Sequence, residues 1–131
     1  MSDIAVDTSA IVEVMIEGPR AQAVENVLKA STLAFVTSAA RVEAAIVMIG
    51  RFGWTRAQFD RAWEALGVEE IPVDSVGAAA AIDAFEKWGK GRGTAAGLNF
   101  GDCFSHALAT SRKLPLLFVG EDLARTEIDR A

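Results

Sequence analysis

The feature that most constrains this chain is an alternation: short, almost wholly apolar runs separated by segments whose apolar residues recur at helical spacing. Ile4-Ala5-Val6 predicts a strand, and beyond Asp7-Thr8-Ser9 the spacing of Ile11, Val14 and Met15 predicts a helix. Gly18-Pro19 breaks it, and Ala21, Val24, Val27 and Leu28 mark a second helix ending near Ala30. Residues 33–36 read as a strand, after which Thr37-Ser38 caps a third helix with an apolar face of Val42, Ala45, Ile46 and Ile49, ended by Gly50 and Gly53. A fourth helix from about Thr55 carries Phe59, Ala62, Trp63 and Leu66 on one face and stops at Gly67. Residues 68–73 form a strand interrupted by Pro72, Asp74 or Ser75 caps an alanine-rich helix through about Trp88, and the glycines at 89, 91 and 93 impose a loop. Asn99 caps a helix over about 100–111, residues 116–119 read as a strand, and Glu121 opens a short final helix.

Strands that are apolar on both sides need cover on both faces, which parallel sheets with right-handed helical crossovers provide. The expected architecture is a three-layer α/β/α domain over residues 1–131, with a short, mostly parallel central sheet of four to five strands. A hydrophobic share of 51% is enough for one core and too high for a linker or disordered chain. The single Cys103 and single His106 exclude an intrachain disulfide and a four-ligand zinc site of Cys and His. They also exclude RNA cleavage by paired imidazoles of one chain. No apolar run approaches the roughly 20 residues that span a bilayer, and the amino end has no secretory pattern, so a soluble cytoplasmic chain without membrane association is expected. The net charge of −5 repels phosphate, so a nucleic-acid partner requires a local remedy.

Ligands of open parallel sheets bind beyond the carboxyl ends of the strands. Asp7 follows the first strand, Glu43 lies about two turns beyond the second, Glu121 and Asp122 follow the last, and Asp102 opens the penultimate helix with Asn99 and His106 at helical spacing. Converging carboxylates repel one another unless a cation joins them, and hard oxygen ligands suit Mg²⁺ or Mn²⁺. Such ions convert an acidic pocket into a phosphate acceptor and activate water against phosphorus. Each acid also has a plain structural reading. Asp7 serves equally as a helix cap, Glu43 as a solvated helix charge, and Asp102, Glu121 and Asp122 as favourable charge at helix starts.

Other residues point elsewhere. His106 reads as a helix residue beside the pocket and not as a ligand, because Mg²⁺ prefers oxygen. Cys103 reads as buried packing, and Trp54, Trp63 and Trp88 as core or interface residues before base-stacking platforms. Gly91-Arg92-Gly93-Thr94-Ala95-Ala96 matches a dinucleotide fingerprint in letters only, since it follows a helix, and Lys90 lacks the Ser or Thr that a phosphate loop requires next. Lys87, Lys90 and Arg92 form the densest basic cluster, equally suited to solvation and to an RNA backbone.

Several stretches together resemble PIN-domain toxins of the VapC type: Val6-Asp7-Thr8-Ser9-Ala10, Val42-Glu43, Gly89-Lys90-Gly91-Arg92, Ala96 to Ser105, Leu116-Leu117-Phe118 and Ala124-Arg125-Thr126. The Gly97-Leu98-Asn99-Phe100-Gly101-Asp102-Cys103 segment is the most specific. The resemblance spans essentially the whole chain. It implies a Mg²⁺-dependent endoribonuclease, with Mn²⁺ able to substitute, that is the toxic half of a type II toxin–antitoxin pair. It further implies an acidic site of Asp7, Glu43 and Asp102, in which Asp7 and Asp102 ligate metal and Glu43 holds water or a second ion. For the fourth acid, position favours Glu121, with Asp122 as substitute. Thr8, Ser9 and Asn99 would orient carboxylates or water. The implied partners are structured RNA such as tRNA or rRNA, a VapB-type antitoxin and a second copy in a homodimer. Two rivals remain at this point: a Mg²⁺-dependent phosphohydrolase or phosphoaccepting domain using Asp7, for which Ser9 stands where a second acid is wanted, and a non-catalytic acidic cleft that binds a basic peptide.

Overall fold

A computed structural model describes residues 2–131. Four strands, β1 (Ile4–Val6), β2 (Ala34–Thr37), β3 (Glu69–Ile71) and β4 (Leu116–Leu117), form one parallel sheet in the order β3-β2-β1-β4. The register pairs Ala5 with both Phe35 and Leu116. Six α-helices complete the layers: α1 (Thr8–Met15), α2 (Ala21–Ala30), α3 (Ser38–Ala45), α4 (Arg56–Leu66), α5 (Ser75–Trp88) and α6 (Phe100–Arg112).

The two-residue period of a strand divides the core between the faces of the sheet. Ile4, Val6, Ala34, Val36 and Leu117 point to one side, where Ile11, Val24, Met48, Phe59 and Trp63 cover them. Ala5, Phe35, Leu116 and Phe118 point to the other, against Ala81, Ala84, Cys103, Ala107 and Leu108 of α5 and α6. This double cover is why β1, β2 and β4 are almost wholly apolar, while the edge strand β3 carries two glutamates. The sheet edges are blunted differently. At β3 the edge carries Glu69 and Glu70, and at β4 the tail hydrogen-bonds along the strand, Leu116 N donating to Asp129 O and Ala131 N to Leu116 O.

Local signals set most boundaries. Thr55 and Gln58 form a reciprocal capping box that starts α4, and Gly67 ends it in the left-handed conformation at φ 66°. Asp74, the first of the two candidate caps, opens α5 by accepting from Gly77 N at 2.8 Å. The final helix is only a 3₁₀ turn over Leu123–Arg125.

The third helix departs from expectation. Its buried stripe is Ala40, Ala44 and Met48, while Val42, Ile46 and Ile49 are 58%, 67% and 37% exposed. Two apolar stripes run along this segment, and the one rich in alanine wins because small side chains let α3 approach β2 and α1 closely. Beyond Ala45 the helix widens into a π turn over Ile46–Arg51, closed by Phe52 N donating to Val47 O. Among the described residues no helix is long and apolar enough to cross a membrane.

Candidate active site

The carboxyl ends of β1 and β4 meet at Asp7. Its backbone N–H donates to Leu117 O, and as N-cap of α1 it takes extended backbone angles that turn the chain off the sheet. The side chain is buried, with Oδ2 accepting from Ser9 N at 3.0 Å and from Ser9 Oγ at 2.6 Å. Ser9 Oγ in turn accepts from Val119 N at 2.9 Å, so one hydroxyl ties the Asp7 carboxylate to the segment leaving β4. This arrangement fixes one carboxylate oxygen and leaves the other free. Asp7 Oδ1 is buried without a hydrogen-bond partner, a costly state for a carboxylate oxygen and one that a cation or its water relieves.

Glu43 projects from α3 toward this point and lies against Gly101 in the first turn of α6, its carboxylate occupying the space where a side chain at 101 would begin. Burial raises its pKa above the usual carboxylate value, the negative charge of Asp7 adds to the rise, and the Thr8 side chain opposes it. Asp102 follows Gly101. A capping box holds it, Asn99 N donating to Asp102 Oδ2 at 3.1 Å and Asp102 N to Asn99 Oδ1 at 2.9 Å. Burial pushes its pKa up to about 6. The Asn99 N–H opposes that rise, and the charges of Asp7, Glu43 and Asp122 reinforce it. The charges of Asp7 and Glu43 therefore both reach Asp102.

Both acids after β4 are exposed; Asp122, whose Oδ1 lies 3.9 Å from Arg125, is also a source of the negative charge that raises the Asp102 pKa. Among the described residues, no three His, Cys, Asp or Glu side chains close into a cluster able to clasp an ion by themselves. The donor set instead fits a hard cation that takes one or two carboxylates directly and keeps its waters. Asp7, Asp102, Glu43 and the free Asp7 Oδ1 supply oxygen alone, which is the chemistry Mg²⁺ and Mn²⁺ prefer.

The remaining candidates fall outside this group. His106 is buried on α6 with Nε2 3.1 Å from Glu127 Oε1, beside a cavity lined by Trp88, Lys87 and Thr110. Cys103 packs into the α5–α6 core with Sγ 3.2 Å from Asn99 O, and burial followed by the Asp102 charge raises its pKa. Trp63 is buried, stacks on Phe59 at 5.9 Å and receives the Arg41 guanidinium on its face. Lys87, Lys90 and Arg92 are exposed, with Arg92 over the Phe85 ring. The glycine-rich stretch follows α5, as its rejection as a dinucleotide loop requires. A cavity of about 480 Å³ between α1, α2 and α4 is lined by residues such as Met15, Leu28, Trp54 and Leu66 and contains none of the site acids.

Sequence reasoning missed two contributors. Ser9 appeared only as a general orienting group, because its bond to Val119 spans 110 positions. Gly101 appeared only as a motif letter, although a glycine inside a helix is itself a signal, since alanine makes the better helix.

The sheet runs in the order β3-β2-β1-β4 with acids beyond its carboxyl ends, and the PIN domain family model matches residues 4–129. The chain belongs to the PIN domain family and is of the VapC type. It is 37% identical over 126 residues to Ribonuclease VapC30 of Mycobacterium tuberculosis, with 95% of each chain covered. It is 38% identical over 128 residues to Ribonuclease VapC28 of the same species, with 96% of each covered. Ribonuclease VapC of Mycolicibacterium smegmatis is 37% identical over 95% of this chain and 97% of its own. The crystal structure of Mycobacterium tuberculosis VapC20, described as a sarcin–ricin loop cleaving toxin, shares the fold at TM-score 0.73 and 14% identity over 98% of both chains. A toxin–antitoxin complex from Klebsiella pneumoniae shares it at TM-score 0.68 and 19% identity, over 95% of this chain and 92% of that one.

Proposed function

We propose that this chain is a Mg²⁺-dependent endoribonuclease, with Mn²⁺ able to substitute, and the toxin of a VapBC-type toxin–antitoxin pair acting in the cytoplasm. The observation that carries the reading is the buried Oδ1 of Asp7, free of any hydrogen-bond partner, in a site where burial first and then the charges of Asp7, Glu43 and Asp122 lift the Asp102 pKa to about 6. The names of the relatives at 37–38% identity, all ribonucleases, support the choice of RNA.

In this reading Asp7 and Asp102 hold the ion and Glu43 holds water against it. The fourth acid is Glu121 or Asp122, and the charge that Asp122 adds at Asp102 favours Asp122. When bound, the ion supplies Lewis acidity toward the phosphate and lowers the pKa of water. Ser9 keeps Asp7 in a single orientation so that the free oxygen points into the site, and the Asn99 capping box does the same for Asp102. The substrate is structured RNA of the tRNA or rRNA class, and Lys87, Lys90 and Arg92, the densest basic cluster of the sequence, are available to its backbone. The VapB-type antitoxin silences the protein by covering the acidic cleft. The exposed stripe of Val42, Ile46 and Ile49 is the surface assigned to a second copy in a homodimer.

The test is incubation of partner-free protein with cellular RNA in Mg²⁺, Mn²⁺ or chelator, followed by mapping of the new ends. Discrete metal-dependent cuts that vanish in Asp7→Asn and Asp102→Asn are expected. Cleavage that persists in chelator, or undiminished cleavage by Asp102→Asn, refutes the assignment.

A further inference from the structure

Gly101 is buried within α6, and its backbone is ordinary right-handed helix, so the conformational freedom of glycine is not needed there. Glycine is also among the poorest helix formers. Its presence is explained by space: a Cβ built on Gly101 collides with both carboxylate oxygens and the carboxyl carbon of Glu43. The other glycine inside an α-helix behaves differently. A Cβ at Gly77 meets only Asp74 Oδ1 at 3.4 Å and Val73 Cγ1 at 3.8 Å, which are ordinary contacts.

We propose that Gly101 is a positioning residue, whose missing side chain seats the Glu43 carboxylate against α6 beside Asp102. This rests on the reading of Glu43, Asp7 and Asp102 as a divalent-cation site. The colliding group is the tip of a flexible side chain, so a methyl at 101 displaces the Glu43 carboxylate while the fold accommodates it. The glycine thus serves the site at the helix's expense, the pattern expected where local structure gives way to function. The other acids approach from directions the methyl does not block: Asp7 is held by Ser9, and Asp102 by Asn99.

The test compares Gly101→Ala, Glu43→Asp, the double variant and Gly77→Ala in the full chain, measuring metal-free melting, Mn²⁺ affinity by calorimetry and RNA cleavage. Gly101→Ala is expected to melt at or above wild type while Mn²⁺ affinity and cleavage fall about 10- to 100-fold, the range for supporting residues of metal sites. Glu43→Asp withdraws the carboxylate by one methylene and weakens binding alone, but it clears the new methyl. The double variant therefore loses less than the product of the two single losses. Gly77→Ala leaves Mn²⁺ affinity unchanged. Wild-type Mn²⁺ affinity in Gly101→Ala, simple multiplication of the single losses in the double, or a markedly lowered melting temperature for Gly101→Ala overturns the proposal. If wild type binds Mn²⁺ but cuts no RNA, the ribonuclease reading fails while the affinities still decide the role of Gly101. Absence of Mn²⁺ binding by wild type overturns both.

Discussion

Replacing Asp102 by Asn is expected to stabilise the metal-free protein at neutral pH. The folded chain holds the Asp102 pKa at about 6 against an ordinary value of 3.8, first because the carboxyl is partly buried and then because Asp7, Glu43 and Asp122 crowd it with like charge. A difference of that size corresponds to roughly 3 kcal/mol. Screening at this half-buried group reduces it to about 1–2 kcal/mol. The sign follows from proton binding. Between about pH 4 and pH 6 the folded chain keeps a proton that the unfolded chain has released, so stability falls as pH rises through this window and the full penalty applies at pH 7. Asparagine removes the charge while its side-chain carbonyl still accepts the Asn99 N–H that now reaches Asp102 Oδ2. Thermal melts in chelator at pH 7.5 should place Asp102→Asn roughly 3–8 °C above wild type, and the two should converge near pH 4. Mg²⁺ at about 100 times its dissociation constant returns about 2.7 kcal/mol to wild type and less to the variant, reversing or closing the gap. An Asp102→Asn protein that melts below wild type in chelator at pH 7.5 refutes the electrostatic reasoning, because the carboxylate would then be a net stabiliser.

Ser9→Ala removes the 2.6 Å bond to Asp7 and the acceptor for Val119 N; it should cost about 1–3 kcal/mol in chemical denaturation and slow RNA cleavage about 10- to 100-fold. Asp122→Asn should lower Mn²⁺ affinity in calorimetry while Glu121→Gln leaves it near wild type, and the opposite ranking would return the fourth-acid role to Glu121. Ile46→Glu places a charge in the exposed apolar stripe of Val42, Ile46 and Ile49, so sedimentation should show monomer where wild type shows dimer, with the melting curve little changed.

The fold was readable because β1, β2 and β4 are too short and too apolar for anything but a doubly covered sheet, and because Thr55, Gly67, Asp74 and Asn99 mark helix ends by their own chemistry. The third helix was misread because periodicity gives the spacing of apolar residues without ranking two competing stripes. Ala40 and Ala44 carry little hydropathy, yet their small volume decides which face can approach the sheet. Asp7, Glu43 and Asp102 were legible as acids beyond strand ends or opening a helix, a position set by topology. Glu121 and Asp122 were not separable, since adjacent residues point in different directions and only the turn into the Leu123–Arg125 segment decides which reaches Asp102. The Ser9–Val119 tie lay beyond any local pattern.

That tie has a bearing on synthesis. The sheet neighbour of β1 on this side is β4, and both Leu117 O and Val119 N hold the Asp7 turn from there. In order of synthesis Leu117 and Val119 come 110 and 112 positions after Asp7. A growing chain therefore carries the first acid of the candidate site before the brace that aims it exists, and the turn at Asp7 gains its last supports only when Leu117 and Val119 have been added.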